Sequence, residues 1–175
     1  MNAIPTPWPS RAVVERESFG AVAERTLDAV HRYLVFLTGD PFVAEELTAS
    51  TYERAFRAWR RYDPRRASAL TWLCRLARNV ALDHFRGEQR RRRREQEYAR
   101  RAYEPDEASF SEGLSPELEP ALGTLTPAER EVIALRILLE LDGREAARVL
   151  GISQTACSTR LSRALKKLEE TMRDV

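Results

Sequence analysis

Apolar residues return every three or four positions in most windows of this 175-residue chain, the spacing of amphipathic helices rather than the alternation of strands. The first such run is Val14, Phe19, Val22, Leu27, Val30, Leu34 and Leu37, and Gly39 ends it. Asp40 and Pro41 make an N-cap and first-turn pair for a second helix carrying Val43, Leu47, Tyr52, Ala55, Phe56 and Trp59. Tyr62-Asp63-Pro64 breaks it, and a polar loop leads to a third helix on Leu73, Leu76, Ala77, Val80, Ala81 and Phe85 that runs into a block of arginines able to prolong it. With only 7 glycines and 32% charged residues, the chain reads as all-α.

A chain of this length divides most naturally into two small helical domains. Residues 1–11, rich in proline, read as a tail. Residues 12–101 form the first domain, 102–113 a flexible linker of charge, Ser, Pro and Gly, and 114–175 the second. A net charge of +2 decides nothing about partners, because position matters more than the total. Residues 86–101 hold eight arginines against three glutamates, a block suited to phosphate backbones and silent about sequence. Cys74 and Cys157 stand apart with no CxxC or neighbouring histidine, so no metal or other cofactor is expected. No run approaches the roughly 20 apolar residues of a membrane span, and the expected location is cytoplasmic, with no membrane contact.

The second half carries the pattern with the clearest mechanics. Thr126-Pro127-Ala128-Glu129 is a capping box opening a helix on Val132, Ile133, Leu135, Ile137 and Leu138, and Asp142 with Glu145 repeats the signature before a short helix that Gly151 stops. Ser153 then caps a last helix to about Arg173. Short helix, glycine turn and longer helix make a helix-turn-helix, which sets its second helix in a major groove. Cys157, Leu161, Ala164, Leu165 and Leu168 are expected inward, leaving Gln154, Thr155, Ser158, Thr159, Ser162, Arg163 and Lys166 outward. Gln and Arg address base edges while Ser, Thr and Lys hold phosphates. In the first half, Arg75, Arg78, Asn79 and Asp83 lie beside a polar loop that can receive an extruded base. Trp72 is expected in the core.

These residues resemble the extracytoplasmic-function sigma factors. Ala44-Glu45-Glu46-Leu47 with Thr51-Tyr52-Glu53-Arg54-Ala55-Phe56 looks like region 2.2 of that family; Thr71-Trp72-Leu73 and the run 75–86 are similar to regions 2.3 and 2.4. Leu125-Thr126-Pro127-Ala128-Glu129-Arg130, Leu150-Gly151-Ile152-Ser153 and Thr159-Arg160-Leu161-Ser162-Arg163-Ala164 match region 4.2. The resemblance implies a non-enzymatic factor that brings core RNA polymerase to promoter DNA. Polymerase contact then falls on Glu45, Glu46, Thr51 and Arg54, and −10 contact on Arg65, Arg66, Ser68, Arg75, Arg78, Asn79, Asp83 and Arg86. The −35 contact falls on the outer face of the last helix, with Arg160 as phosphate clamp. It also implies an anti-sigma factor as regulatory partner.

Four positions depart from the family's pattern: Ala49 and Ser50 replace Gln and an acid, Leu70 a basic residue, and Ser158 a lysine. The alternative is a helix-turn-helix regulator that binds duplex DNA without polymerase and dimerises through its first half. A basic helix with Asn79 and Asp83 argues against that. An enzyme is disfavoured by the absence of clustered carboxylates or a phosphate-cradling glycine loop; adjacent Glu45 and Glu46 point to different helix sides.

Overall fold

The computed structural model describes residues 17–99 and 122–173, with side chains to residue 94 in the first segment. The expected tail and linker, 1–11 and 102–113, lie outside the described residues. All regular structure among those described is helical.

In the first domain, α1 spans Phe19–Thr38, α2 Pro41–Ala58 and α3 Ala69–Ala99, and each packs on the other two. Local chemistry sets the ends. The Ser18 hydroxyl accepts from the Ala21 amide, Gly39 closes α1 at φ 68°, and the Asp40 carboxylate accepts from the amides of Phe42 and Val43. A 3₁₀ turn, Trp59–Arg61, follows α2. The arginine block does prolong the third helix, which reaches Ala99. Val22, Val30, Tyr33, Leu34, Leu47, Leu73, Ala77 and Val80 fill the core, whereas Leu27 and Phe85, expected on buried faces, are 46% and 41% exposed.

Three threonines inside this core keep their hydroxyls satisfied by bonding back one turn: Thr26 to the Val22 carbonyl, Thr48 to Ala44 and Thr51 to Leu47. Thr51 is therefore buried, not presented on a surface, and the polymerase contact expected of it is corrected.

In the second domain, α4 spans Pro127–Ile133, α5 Gly143–Leu150 and α6 Gln154–Arg173. Both capping boxes form, at Thr126 with Glu129 and at Asp142 with Glu145. The helix expected to run from 127 to 138 is regular only to Ile133. From Ala134 to Leu138 it widens into a π turn, closed by the Leu139 amide on the Ala134 carbonyl at 2.9 Å. That extra residue per turn brings Leu135 fully inside and leaves Ile137 55% exposed.

Glu129 ties α4 to α6. One of its oxygens accepts from the Thr126 amide and hydroxyl and from Lys167 Nζ, the last at 2.8 Å. Lys167 and these Thr126 donors hold its carboxyl at a pKa of about 2, against an ordinary 4.5. Because the folded value is the depressed one, this stabilisation is complete above the ordinary carboxyl range and fades as pH falls from there towards about 2. Lys167→Met is expected to lower the urea midpoint of the second domain at pH 7, and that difference should shrink steadily below pH 4.5 and be mostly gone as pH reaches about 2, as followed by circular dichroism. An offset that persists unchanged in acid contradicts the assignment.

The two domains touch: α5 lies on α3, and α4 and the π turn lie on α1.

Candidate nucleic-acid interface

The turn Gly151-Ile152-Ser153 aims α6. Gly151 takes φ 69°, which a side chain resists, the Ile152 amide returns to the Ala147 carbonyl, and the Ser153 hydroxyl accepts from the Ala156 amide. Cys157 and Ala164 are buried and fix the inner face. Leu161 and Leu168 are half-buried, but Leu165, expected inward, is 43% exposed and lines a groove beside Arg136.

The outer residues divide between two flanks. Thr155, Thr159, Arg160 and Arg163 line a groove of about 510 Å³ against Thr126 and Ala128 of the α4 start. Ser158, Ser162 and Lys166 line another, of about 430 Å³, with Arg136. Arg136 was missed because it sits inside an apolar run; a lone basic residue in such a run was its only signal. The π turn brings it beside α6, where its guanidinium also donates to the Leu141 carbonyl. Gln154 does not join either flank. It lies over Gly143, whose added Cβ would come 3.6 Å from Gln154 Nε2, and faces the cleft between the domains.

On α3, Arg75, Asn79, Asp83 and Arg86 fall at spacings of four, four and three and are exposed in one stripe. Arg65 and Arg66 are exposed on the preceding loop. That loop is pinned: the Tyr62 hydroxyl donates to the Ala67 carbonyl at 3.1 Å, and Asp63 accepts from the Arg65 amide. Beneath it Trp59 stacks on Tyr62 with ring centroids 4.9 Å apart, and Trp72 closes on Tyr62 at 5.1 Å and on Trp59 at 5.9 Å. Trp72 is thus packed among rings and half-buried.

Two of the expected −10 residues are placed differently. Arg78 is not presented with the stripe: its side chain is 24% exposed, and its Nε donates to Glu131 of α4 at 2.6 Å. The Ser68 hydroxyl, at the start of α3, donates to Glu145 of α5 at 2.8 Å, and Thr71 donates to the same oxygen. Between the domains opens a cleft of about 670 Å³ lined by Arg61, Arg66 and Arg75 from one side and Arg144 and Arg148 from the other. Arg61, Arg144 and Arg148 had not been singled out, since isolated arginines on helices usually mark nothing more than a solvated surface.

The residues expected to meet polymerase do not share a face. Glu45 and Glu46 are exposed, Thr51 is buried, and Arg54 turns to α3, where it pairs with Asp83 at 3.2 Å. Arg54 therefore belongs with the α3 stripe. The stripe that α2 does expose is Phe42, Glu45, Glu46, Ala49, Glu53 and Phe56, three carboxylates between two phenylalanines that are 79% and 67% exposed. Among the described residues no group of three or more histidine, cysteine or acidic side chains is placed to hold a metal, and no helix is long and apolar enough to cross a membrane.

Comparison with known proteins matches residues 22–91 to the family described as Sigma-70 region 2 and residues 116–168 to Sigma-70, region 4. The chain is 30% identical over 171 residues to the ECF RNA polymerase sigma factor SigK of a Mycobacterium species (strain JLS), covering 94% of this chain and 83% of that protein. It is 32% identical over 164 residues to the ECF RNA polymerase sigma factor BldN of Streptomyces coelicolor, covering 91% of this chain but 62% of BldN, less than two thirds of its length. Among solved structures, the sigma factor RpoE in complex with the anti-sigma factor NepR, from Bartonella quintana, shares the fold with a TM-score of 0.69 at 22% identity, over 89% of this chain and 96% of that one. CnrH, solved with the cytosolic domain of CnrY, gives 0.65 at 26% identity, over 89% and 88%.

Proposed function

The chain belongs to the ECF RNA polymerase sigma factors of the sigma-70 family, and from that premise we propose how its surfaces divide promoter-specific initiation between them. The first domain, residues 12–101, binds core polymerase through the exposed stripe of α2 and the −10 element through Arg65, Arg66, Ser68 and the α3 stripe. The second, residues 114–175, joined through a linker at 102–113, reads the −35 element with both flanks of α6. The chain is an initiation factor and not an enzyme; phosphodiester bonds are made by the polymerase, and the place of work is the cytoplasm.

The observation that carries this reading is the separation of charge. Glu45 and Glu46 stand together on α2 with Glu53, which pairs with Arg57, whereas Arg75 on α3 and Arg163 on α6 are exposed on other surfaces, beside Arg86 and Lys166, which pair with Asp83 and Glu170. Acidic and basic faces on one chain suit a protein and a polyanion bound at once. On the −10 side, a pinned loop beside exposed arginines suits a strand held with a base turned out, whose unstacking costs a few kcal/mol. An anti-sigma factor is the expected regulator, as RpoE was solved with NepR.

Run-off transcription with core polymerase from a pool of genomic promoter fragments tests the assignment, with core alone as control. Promoter-specific transcripts that require this chain are the expected result. Sequence-specific duplex binding by the chain alone, with neither transcripts nor core binding, points instead to a simple helix-turn-helix regulator. Within the same assay Glu45→Lys with Glu46→Lys is expected to weaken core binding roughly tenfold or more and to flatten its salt dependence while leaving the helical signal unchanged. Binding at wild-type strength removes α2 from the polymerase interface.

A further inference from the structure

The cleft between the domains carries a charge that its own walls do not balance. Arg61, Arg66 and Arg75 line it from the first domain and Arg144 and Arg148 from the second, and none of the five forms an ion pair among the described residues. Asp63 is the one carboxylate among the described lining residues, and its Oδ1 accepts from the Arg65 amide. Two further acids at the domain boundary are engaged elsewhere: Glu145 Oε1 accepts from Ser68 and Thr71, and Glu131 pairs with Arg78. Arg148 donates to the Arg66 carbonyl at 2.6 Å, which ties α5 to the 63–68 loop and holds the two basic walls close. Four positive charges are thus left over around about 670 Å³ of space.

We propose that this cleft is a binding site for a compact polyphosphate, free or carried on a nucleoside, held by guanidinium groups from both domains at once.

A cleft lined by one sign of charge focuses the field and draws in the opposite ion. Guanidinium forks match phosphate oxygens two at a time, so arginine rather than lysine on every side suits phosphate in particular. The amount of charge sets the size of the ligand. One phosphate group carries about −1.5 to −2 at neutral pH, so balancing four positive charges takes two or more groups linked together. The volume agrees, since sites for small molecules span about 300–1,000 Å³. Tyr62 and Trp72 also line the cleft and offer ring surface to a base. Walls supplied by two domains favour a short ligand over a continuous strand, which would have to thread between them. Arg66 and Arg75 are shared with the −10 contact, so the occupant and the promoter strand exclude each other. That consequence rests on the sigma-factor reading given above; the binding itself does not.

Calorimetric titration of the full chain at about 0.15 M salt tests the site, with sodium tripolyphosphate, ATP, GTP and inorganic phosphate as probes. Tripolyphosphate is expected to bind once per chain and at least roughly tenfold more tightly than inorganic phosphate. Arg61→Ala and Arg144→Ala, one from each wall and both exposed, are each expected to weaken it roughly tenfold. Arg92→Ala removes the same charge from an exposed position on α3 outside the cleft and is expected to leave the affinity unchanged. A gain for either nucleotide over tripolyphosphate identifies a nucleoside polyphosphate as the occupant, and no gain identifies the phosphate chain alone. Equal weakening by all three variants shows diffuse attraction to a basic surface and overturns the proposal, as does tripolyphosphate that binds no better than phosphate. If tripolyphosphate does not bind while a single-stranded −10 oligonucleotide loses affinity on Arg144→Ala, the cleft belongs to the strand. The titration needs neither polymerase nor promoter, so its failure strikes the cleft alone, and failure of run-off transcription strikes the sigma-factor reading alone.

Discussion

Leu135→Ala is expected to unfold the second domain while the first stays folded. Leu135 is fully buried within the π turn, and its carbonyl accepts from the Leu141 amide, so the site cannot relax by letting the chain collapse freely inward. Truncating a buried leucine costs about 2–5 kcal/mol, set by the cavity left behind. A domain of about 50 residues commands only about 3–8 kcal/mol in all. Thermal unfolding followed by circular dichroism should therefore show an early loss of part of the helical signal, with duplex binding at −35 abolished at the same temperature. Ile137→Ala, two residues on and 55% exposed, serves as the comparison and should melt close to the unaltered chain. A Leu135→Ala protein that melts in one unshifted step shows that the turn is not the centre of that core.

Replacing Arg160 and Arg163 together with alanine is expected to lower −35 affinity by about 1–3 kcal/mol for each arginine that bonds a base edge, and to reduce the salt slope by about one for each arginine that neutralises a phosphate. Arg163 is exposed and Arg160 half-buried, and both line the groove beside Thr126 and Ala128, so the pair acts on one flank of α6. The same substitution at Ser158 and Ser162 tests the other flank, where Arg136 supplies the positive charge. Fluorescence anisotropy on a −35 duplex at several salt concentrations, with the holoenzyme, separates the two. If affinity holds at matched salt after the arginine pair is removed, the reading face is the Arg136 flank.

The helices were legible in the sequence because their ends are made by neighbours. Asp40 with Pro41, Thr126 with Glu129, and Asp142 with Glu145 each act within three residues, so spacing alone exposes them. The turn at Gly151 and the cap at Ser153 were legible for the same reason. The errors lie where an outcome depends on residues far along the chain or on a change of helical pitch. Arg54 was expected at polymerase, yet Asp83, 29 positions later, draws it to α3. Arg78, expected at the −10 element, faces Glu131, 53 positions later, at the boundary between the domains. Thr51 carries a polar label but satisfies its own hydroxyl within α2. The π turn shifted Arg136 from where a 3.6-residue period puts it, and no composition rule announces such a turn. Phe56, expected in the apolar run of the second helix, is 67% exposed, and Phe42 carries no signal of its own because exposed apolar residues, seen singly, are ordinary; only the folded α2 shows them bracketing three carboxylates.

The ring stack beneath the 63–68 loop gives the molecule an optical gauge of its own. Two of the chain's three tryptophans, Trp59 and Trp72, meet at Tyr62, whose hydroxyl is fastened to the loop at Ala67. Indole emission reports the polarity and packing around it, so a shift of that loop as it takes hold of a ligand alters the light emitted by the unlabelled protein. The early steps of strand capture can thus be timed without attaching a dye to any of the arginines that do the holding.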